Sequence, residues 1–349
     1  MKKGWKEKMI DLRSDVKTLP SPAMRCAMCE AEVGDDVARE DPAINALEAH
    51  CAEVLGKQDA VFVPSGTQGN LVCIYTLLRP GEELICHEQA HIYHYERGGM
   101  SAICGALVRP LSGRYGAFDL QLLADTLHDG DLHRQRTGLV CLENTHNNCG
   151  GTVLTAEYTS QVCSLAHQHG VPVHLDGARI FNAAVALDIE AATLVEEVDT
   201  VTICLSKGLG APVGSVVCGS EEVMERVRGA RKLFGGGMRQ AGVLAAAGLW
   251  ALEHNLPRLA DDHRNARLIA ETLVQLPGIE VDLDSVQTNM VYLSVRRDDM
   301  TAPQLCARLA DYGINATSRD EHSIRLVTHL NVSDEDTRAT CAALREILG

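Results

Sequence analysis

Lysine is scarce in this chain, with eight in 349 residues, four of them in the first eight positions and none between Lys57 and Lys207. Lys207 ends the apolar run Thr202-Ile203-Cys204-Leu205-Ser206 and precedes Gly208-Leu209-Gly210, where small residues leave room for a ligand beside the backbone. An amine in a water-poor cleft releases its proton readily, which suits it to imine formation with a carbonyl. Alone, Lys207 would equally fit a lysine snorkelling from a strand end. Asp176 ends another apolar run, Val171-Pro172-Val173-His174-Leu175, 31 residues upstream, about one strand–helix–strand unit. Alone, it could simply cap the next helix. A third element, Pro64-Ser65-Gly66-Thr67, lies between an apolar strand and a helical run, where backbone N–H groups and hydroxyls can meet a phosphate.

In series these three match the anchors of pyridoxal phosphate. A carboxylate keeps the pyridine nitrogen protonated, a lysine holds the aldehyde as an imine, and a helix N-terminus takes the phosphate. His91 suits stacking on the flat ring, and His94 reads as a surface histidine. His87-Glu88-Gln89-Ala90-His91 also fits the zinc-protease pattern HExxH, which needs one helix to put both histidines on a face. Here it follows the strand-like Glu83-Leu84-Ile85-Cys86 without a convincing third ligand, so no metal is expected.

The elements that must position these residues alternate. Strand-like runs are expected at 60–64, 83–86, 106–109, 138–142, 171–175 and 200–205, separated by helical patterns. That alternation implies an α/β fold with a mostly parallel sheet, whose ligands sit at the carboxyl ends of the strands. After a helical stretch at 240–255, the tail reads as a small α+β unit, with strands near 290–295 and 323–326 and helices at 259–276 and 302–312. The expected division is an N-terminal extension (1–9), a large cofactor-binding domain (10–257) and a small C-terminal domain (258–349).

Composition narrows the partners. A formal charge of −15, a pI near 5.4 and 4% aromatics offer neither a basic footprint nor stacking platforms, so neither nucleic acid nor an anionic membrane is expected. The longest apolar-rich run, Ala241–Leu252, is well short of the ~20 residues needed to span a bilayer. The basic N-terminus, MKKGWKEK, lacks the apolar stretch of a secretory signal. Thirteen cysteines, odd in number and scattered through apolar segments, suggest reduced thiols and a cytoplasmic location. Cys26 and Cys29 form a CxxC that i, i+3 placement on a helix explains without chemistry.

Longer segments carry a resemblance. They are Leu12-Arg13-Ser14-Asp15, Gly34-Asp35-Asp36-Val37 with Glu40-Asp41-Pro42, 64–70, Glu143-Asn144-Thr145-His146-Asn147, 174–183, 204–214, 235–240 and 325–330. From about residue 10 onward, the chain resembles low-specificity L-threonine aldolases, pyridoxal-phosphate enzymes of the aspartate-aminotransferase fold (fold type I). The resemblance implies cleavage of L-threonine, L-allo-threonine and related β-hydroxy-α-amino acids to glycine and an aldehyde. It assigns Lys207 to the cofactor aldehyde, Asp176 to the pyridine nitrogen, His91 to ring stacking and Ser65, Gly66 and Thr67 to the phosphate. Arg239 would reach the phosphate from a neighbouring subunit. Ser14, Arg179 and Arg325 would grip the substrate carboxylate, His146 would handle the β-hydroxyl proton, and Glu96 would orient a water. A homo-oligomer follows, at least a dimer and usually a tetramer. Other reactions on the same cofactor, such as transaldolation or β-elimination, and a silent cofactor binder share these residues.

Two stretches depart from the family's pattern. Val16 and Lys17 stand where the family usually has Thr-Val, and Ala38 and Arg39 where it has Tyr-Gly. Both stretches line the family's active-site mouth, the second from the partner subunit. Losing a phenol at Ala38 and a hydroxyl at Val16 implies a pocket retuned toward bulky or aromatic aldehydes.

Overall fold

The computed structural model describes residues 9–349, so the expected N-terminal extension, except Met9, lies outside the described residues. The large unit is built on seven strands: β1 (Asp59–Val63), β2 (Glu83–His87), β3 (Leu107–Leu111), β4 (Thr137–Glu143), β5 (Val173–Asp176), β6 (Thr200–Cys204) and β7 (Ser215–Gly219). Their order is β1-β7-β6-β5-β4-β2-β3. Neighbours from β6 to β3 are parallel, while β7 runs antiparallel to β6 and β1. Strands β4, β5 and β6 are buried at every position, as expected for a sheet covered on both faces. This is the α/β, mostly parallel sheet expected from the alternating runs. The sequence reading assigns no strand to β7. Its short apolar run, Ser-Val-Val-Cys-Gly, has no alternation to mark it because both faces are covered.

The parallel strands end together. Glu143 at the end of β4 is in register with Asp176 at the end of β5, which is in register with Thr202 on β6, five residues before Lys207. Helix Gly66–Leu77 follows β1, with Ser65 as its N-cap accepting from Gln68 N at 3.2 Å. Helix Pro22–Glu30 carries the exposed thiols Cys26 and Cys29.

The small unit holds an antiparallel sheet of β8 (Ile279–Glu280), β9 (Met290–Val295), β10 (Thr317–Ser318) and β11 (Ser323–Val327), in the order β8-β9-β11-β10. Helices Leu259–Leu273, Ala302–Asp311 and Asp334–Leu348 contribute to its core. The N-terminal strand Ile10–Asp11 pairs in parallel with Ile314–Asn315, and Ile10 and Leu12 pack into this core. The strand at Ile10–Asp11 therefore lies on the small unit, and the segment that follows it crosses over the site. There Thr18 Oγ1 donates to Lys207 O at 2.9 Å, and Leu19 N donates to Asn331 Oδ1 at 2.9 Å. Among the described residues no helix is long and apolar enough to cross a membrane.

Candidate active site

A cavity of about 450 Å³ opens where the parallel strands end. The N-terminal crossing segment supplies Ser14 and Val16, and the segment after β2 supplies His91 and Tyr95. Asn147, Arg179 and Lys207 follow β4, β5 and β6, and the small unit closes the cavity with Arg319 and Arg325. Seven of these nine residues therefore come from the large unit or the crossing segment, and His91, Asn147, Arg179 and Lys207, far apart in sequence, meet because each follows a parallel strand of one sheet.

Asp176 is buried below the cavity. It accepts from Asn70 Nδ2 at 2.9 Å and Ala178 N at 3.2 Å. Burial alone would raise its pKa, but the charges of His91 and Lys207 and the Asn70 amide outweigh it and hold the carboxyl below its ordinary value. Asn70 Nδ2 also donates to Glu96 Oε1 at 2.8 Å, and its Oδ1 lies 3.1 Å from His174 Nε2. His91 Nδ1 sits 3.0 Å from the same Glu96 oxygen, and its backbone N–H donates to Glu143 Oε2 at 2.6 Å. Burial opposes protonation of His91, yet Glu96, Asp176 and Glu143 together raise its pKa. Glu96 does not line the cavity. It is buried behind His91, and that burial raises its own pKa.

These residues fit pyridoxal phosphate. The buried carboxylate of Asp176 accepts hydrogen bonds only from neutral amides, so a protonated pyridine nitrogen would supply the cation it lacks. Lys207 provides the amine in the cavity wall. At Gly66 and Thr67 the first turn of the helix leaves N–H groups without intrahelical partners. A side chain at Gly66 would come 2.7 Å from Cys204 Sγ, which seats this turn against the strand leading to Lys207. Ser65, Gly66 and Thr67 lie outside the cavity lining itself.

The carboxylate-binding candidates are not equivalent. Arg179 is committed: Nε and Nη2 donate to Asp15 at 2.6 and 2.7 Å, and both side chains are buried. Burial disfavours each charge, but their mutual attraction raises the Arg179 pKa and depresses that of Asp15. Arg325 donates instead to neutral acceptors, Asn147 Oδ1 at 2.9 Å and Arg13 O at 3.3 Å. Among the described residues it has no carboxylate partner. Ser14 caps the short helical turn that follows it.

His146 does not line the cavity. It is fully buried, with neither ring nitrogen hydrogen-bonded, its ring edge-to-face with His87 at 4.8 Å and Nε2 3.8 Å from Glu143. Burial lowers its pKa to about 4. Gly116, at φ +86°, lies so close that a Cβ there would fall 2.6 Å from the imidazole. The HExxH histidines separate: His87 ends β2 and His91 begins helix His91–His94. Arg239 is 63% exposed and pairs with Asp35 at 2.8 Å, and Ala38 is exposed in the adjoining turn. Neither lines this cavity.

The sequence reading gives no role to Asp15, Asn70, Tyr95, Asn147 or Arg319. Asp15, Asn70 and Asn147 stand inside the quoted motifs, so their polarity next to a catalytic candidate was the available signal. Tyr95 and Arg319 carry no motif and reach the cavity only through the tertiary fold.

A model of the β-eliminating lyase family matches residues 11–296. Low-specificity L-threonine aldolase 1 of Arabidopsis thaliana is 44% identical over 345 residues, covering 97% of this chain and 96% of the relative. The low specificity L-threonine aldolase of Escherichia coli K12 is 42% identical over 97% of this chain and 99% of its own length. Among solved structures, Leishmania major threonine aldolase superposes with a TM-score of 0.83 at 20% identity, over 97% of this chain and all of that one. Serine palmitoyltransferase of Sphingomonas wittichii gives 0.77 at 18% identity, over 98% of this chain and 89% of that one. The structural likenesses establish the fold-type-I architecture of pyridoxal-phosphate enzymes, and the identity sustained along the chain goes further. The chain belongs to the low-specificity L-threonine aldolases, within the β-eliminating lyase family.

Proposed function

We propose that this protein is a pyridoxal-phosphate-dependent aldolase that reversibly cleaves L-threonine, L-allo-threonine and related β-hydroxy-α-amino acids to glycine and an aldehyde. The observation that carries the reading is the meeting, in one cavity above the buried Asp176–Asn70 pair, of Lys207 and Arg325, which among the described residues has no carboxylate partner. The cofactor, when bound, supplies the electron sink for the pair left on Cα as the Cα–Cβ bond breaks.

The chain's own groups do the rest. Lys207 would hold the cofactor's aldehyde, Asp176 its ring nitrogen, and Ser65, Gly66 and Thr67 its phosphate. His91 would stack on the ring, and Glu96 is a positioning residue that fixes His91 by its Nδ1. Arg325 takes the substrate carboxylate as a charge-assisted pair. Ser14 lies beside it, and Arg179 offers the Nη1 that Asp15 leaves free. His146, neutral above its depressed pKa, has free nitrogens to accept the β-hydroxyl proton. Lacking cavity surface, it takes that proton through water.

The exposed Arg239 and Ala38 support a second proposal, that each completes the site of a neighbouring subunit in a homo-oligomer, a tetramer by analogy with the family. Thirteen free cysteines support a reducing, cytoplasmic setting. Val16 in the wall supports tolerance of bulkier aldehydes. The test is product analysis with L-threonine, L-allo-threonine and L-phenylserine. Glycine and aldehyde in equal amounts are expected, whereas a 2-oxo acid with ammonia would identify a β-eliminating enzyme instead.

A further inference from the structure

The cavity holds one more cation than an α-amino acid carboxylate needs. Arg179 is neutralised by Asp15, and Arg325 remains for the α-carboxylate. Arg319 is the additional one. It lies in the loop between β10 and β11, lines the same cavity, and among the described residues has no carboxylate partner. The adjacent Asp320 is turned away, accepting from His322 N, Ser323 N and Ser323 Oγ.

Arg319 is nevertheless held in place. Its Nη1 donates to Tyr292 Oη at 2.9 Å and its Nη2 to Tyr95 Oη. Those phenols are anchored in turn, Tyr292 by donating to Asn147 O at 2.9 Å and Tyr95 by donating to Asn148 Oδ1 at 3.0 Å. Asn147 also holds Arg325, so one hydrogen-bonded chain links the two guanidinium groups in the cavity wall. The ordering cost of a long side chain is already met, which favours a fixed anion subsite over a mobile surface arginine.

Resting on the aldolase reading, we propose that Arg319 receives an anionic group on the aldehyde half of the substrate, so that the site takes β-hydroxy-α-amino acids bearing a second carboxylate. 3-Hydroxyaspartate is the simplest. Its Cα–Cβ bond breaks, the hydroxyl loses its proton and becomes the carbonyl of glyoxylate, and the electron pair on Cα takes up a proton to give glycine. No oxidant or reductant is consumed.

The experiment uses the cofactor-loaded enzyme and its Arg319→Gln and Arg319→Lys variants. It reads kcat/KM for L-3-hydroxyaspartate and L-threonine, and separately the Kd of the unreactive pair L-aspartate and L-alanine from the cofactor's visible absorption. In Arg319→Gln the preference for hydroxyaspartate over threonine falls about 10- to 100-fold, chiefly through KM, the range expected for a lost charge-assisted contact. Preference for aspartate over alanine falls with it, and Arg319→Lys retains part of both. Equal losses on both substrates would overturn the proposal, making Arg319 a staple between the two units through Tyr95 and Tyr292. Wild-type binding of aspartate no tighter than alanine would also overturn it. If aspartate preference depends on Arg319 while threonine is not cleaved, the subsite stands and the aldolase reading fails.

Discussion

Asp15 and Arg179 form a two-point ion pair, Nε to Oδ2 at 2.6 Å and Nη2 to Oδ1 at 2.7 Å, buried between the N-terminal crossing segment and the loop after β5. The pair pins the segment that carries Ser14 and Val16 to the sheet that carries Asp176. Asp15→Ala leaves a buried guanidinium without its counter-charge, and should cost about 3–5 kcal/mol in urea unfolding. Arg179→Leu in the same background should recover part of that loss. Because the Asp15 pKa is depressed, its contribution is present in full above the unfolded carboxyl's value of about 4 and declines only as pH falls below it. A wild-type-like Asp15→Ala would refute the structural role.

His146 gives the opposite kind of pH dependence from a surface histidine. Its folded pKa of about 4 lies below the unfolded value of about 6.5, so the unfolded chain binds the extra proton in that window. Stability from this group is present above pH 6.5 and lost as pH falls toward 4. His146→Gln should therefore lose about 2 kcal/mol less than wild type between pH 7 and pH 5 in the cofactor-free protein. Parallel urea curves at the two pH values decide the matter, and equal pH sensitivity would count against a buried neutral imidazole.

Glu96 touches Asn70 and His91 but not the cavity, which defines a positioning role. Glu96→Gln removes the negative charge that supports protonated His91, so the His91 imidazole should titrate at lower pH. Proton NMR of the imidazole in cofactor-free protein checks this. An unmoved midpoint would show that Asp176 and Glu143 alone set the His91 charge.

The altered mouth separates into two tests. Val16 lines this chain's own cavity, whereas Ala38 and Arg39 lie away from it. Val16→Thr should lower the L-phenylserine to L-threonine ratio of kcat/KM without any contribution from a neighbour. Arg39 sits at φ +60°. Arg39→Gly should change stability by less than about 1 kcal/mol, relief of left-handed strain offsetting the entropy of glycine. Ala38→Tyr with Arg39→Gly should then lower the same ratio only if a partner subunit shares the site. An effect that persists in a monomeric form would contradict that sharing.

The fold's alternation and the strand-end placement of the candidate residues were legible because strand residues are apolar and their terminal polar residues interrupt them. Asp176, Lys207 and the Ser65–Thr67 turn each stood out that way. What was not legible depended on pairing across the fold. Nothing local distinguishes Arg179, neutralised by Asp15 from 164 residues away, from Arg325, which has only neutral acceptors. Strand β7 lacked alternation, and the packing of Ile10 and Leu12 with the small unit follows from a pairing with residues 314–315 that neither segment announces. His146 has its role from the resemblance alone, and nothing in its motif announces that Gly116 and His87 cover it.

Aldehyde release from L-threonine, measured beside glycine in the cofactor-supplemented wild type and in Lys207→Ala, tests the central claim most directly. Wild type should release the two products in equal amounts, while Lys207→Ala should release neither and lose the yellow absorption of bound cofactor. A yellow wild type that releases no aldehyde, or a Lys207→Ala variant as active as wild type, would contradict the assignment.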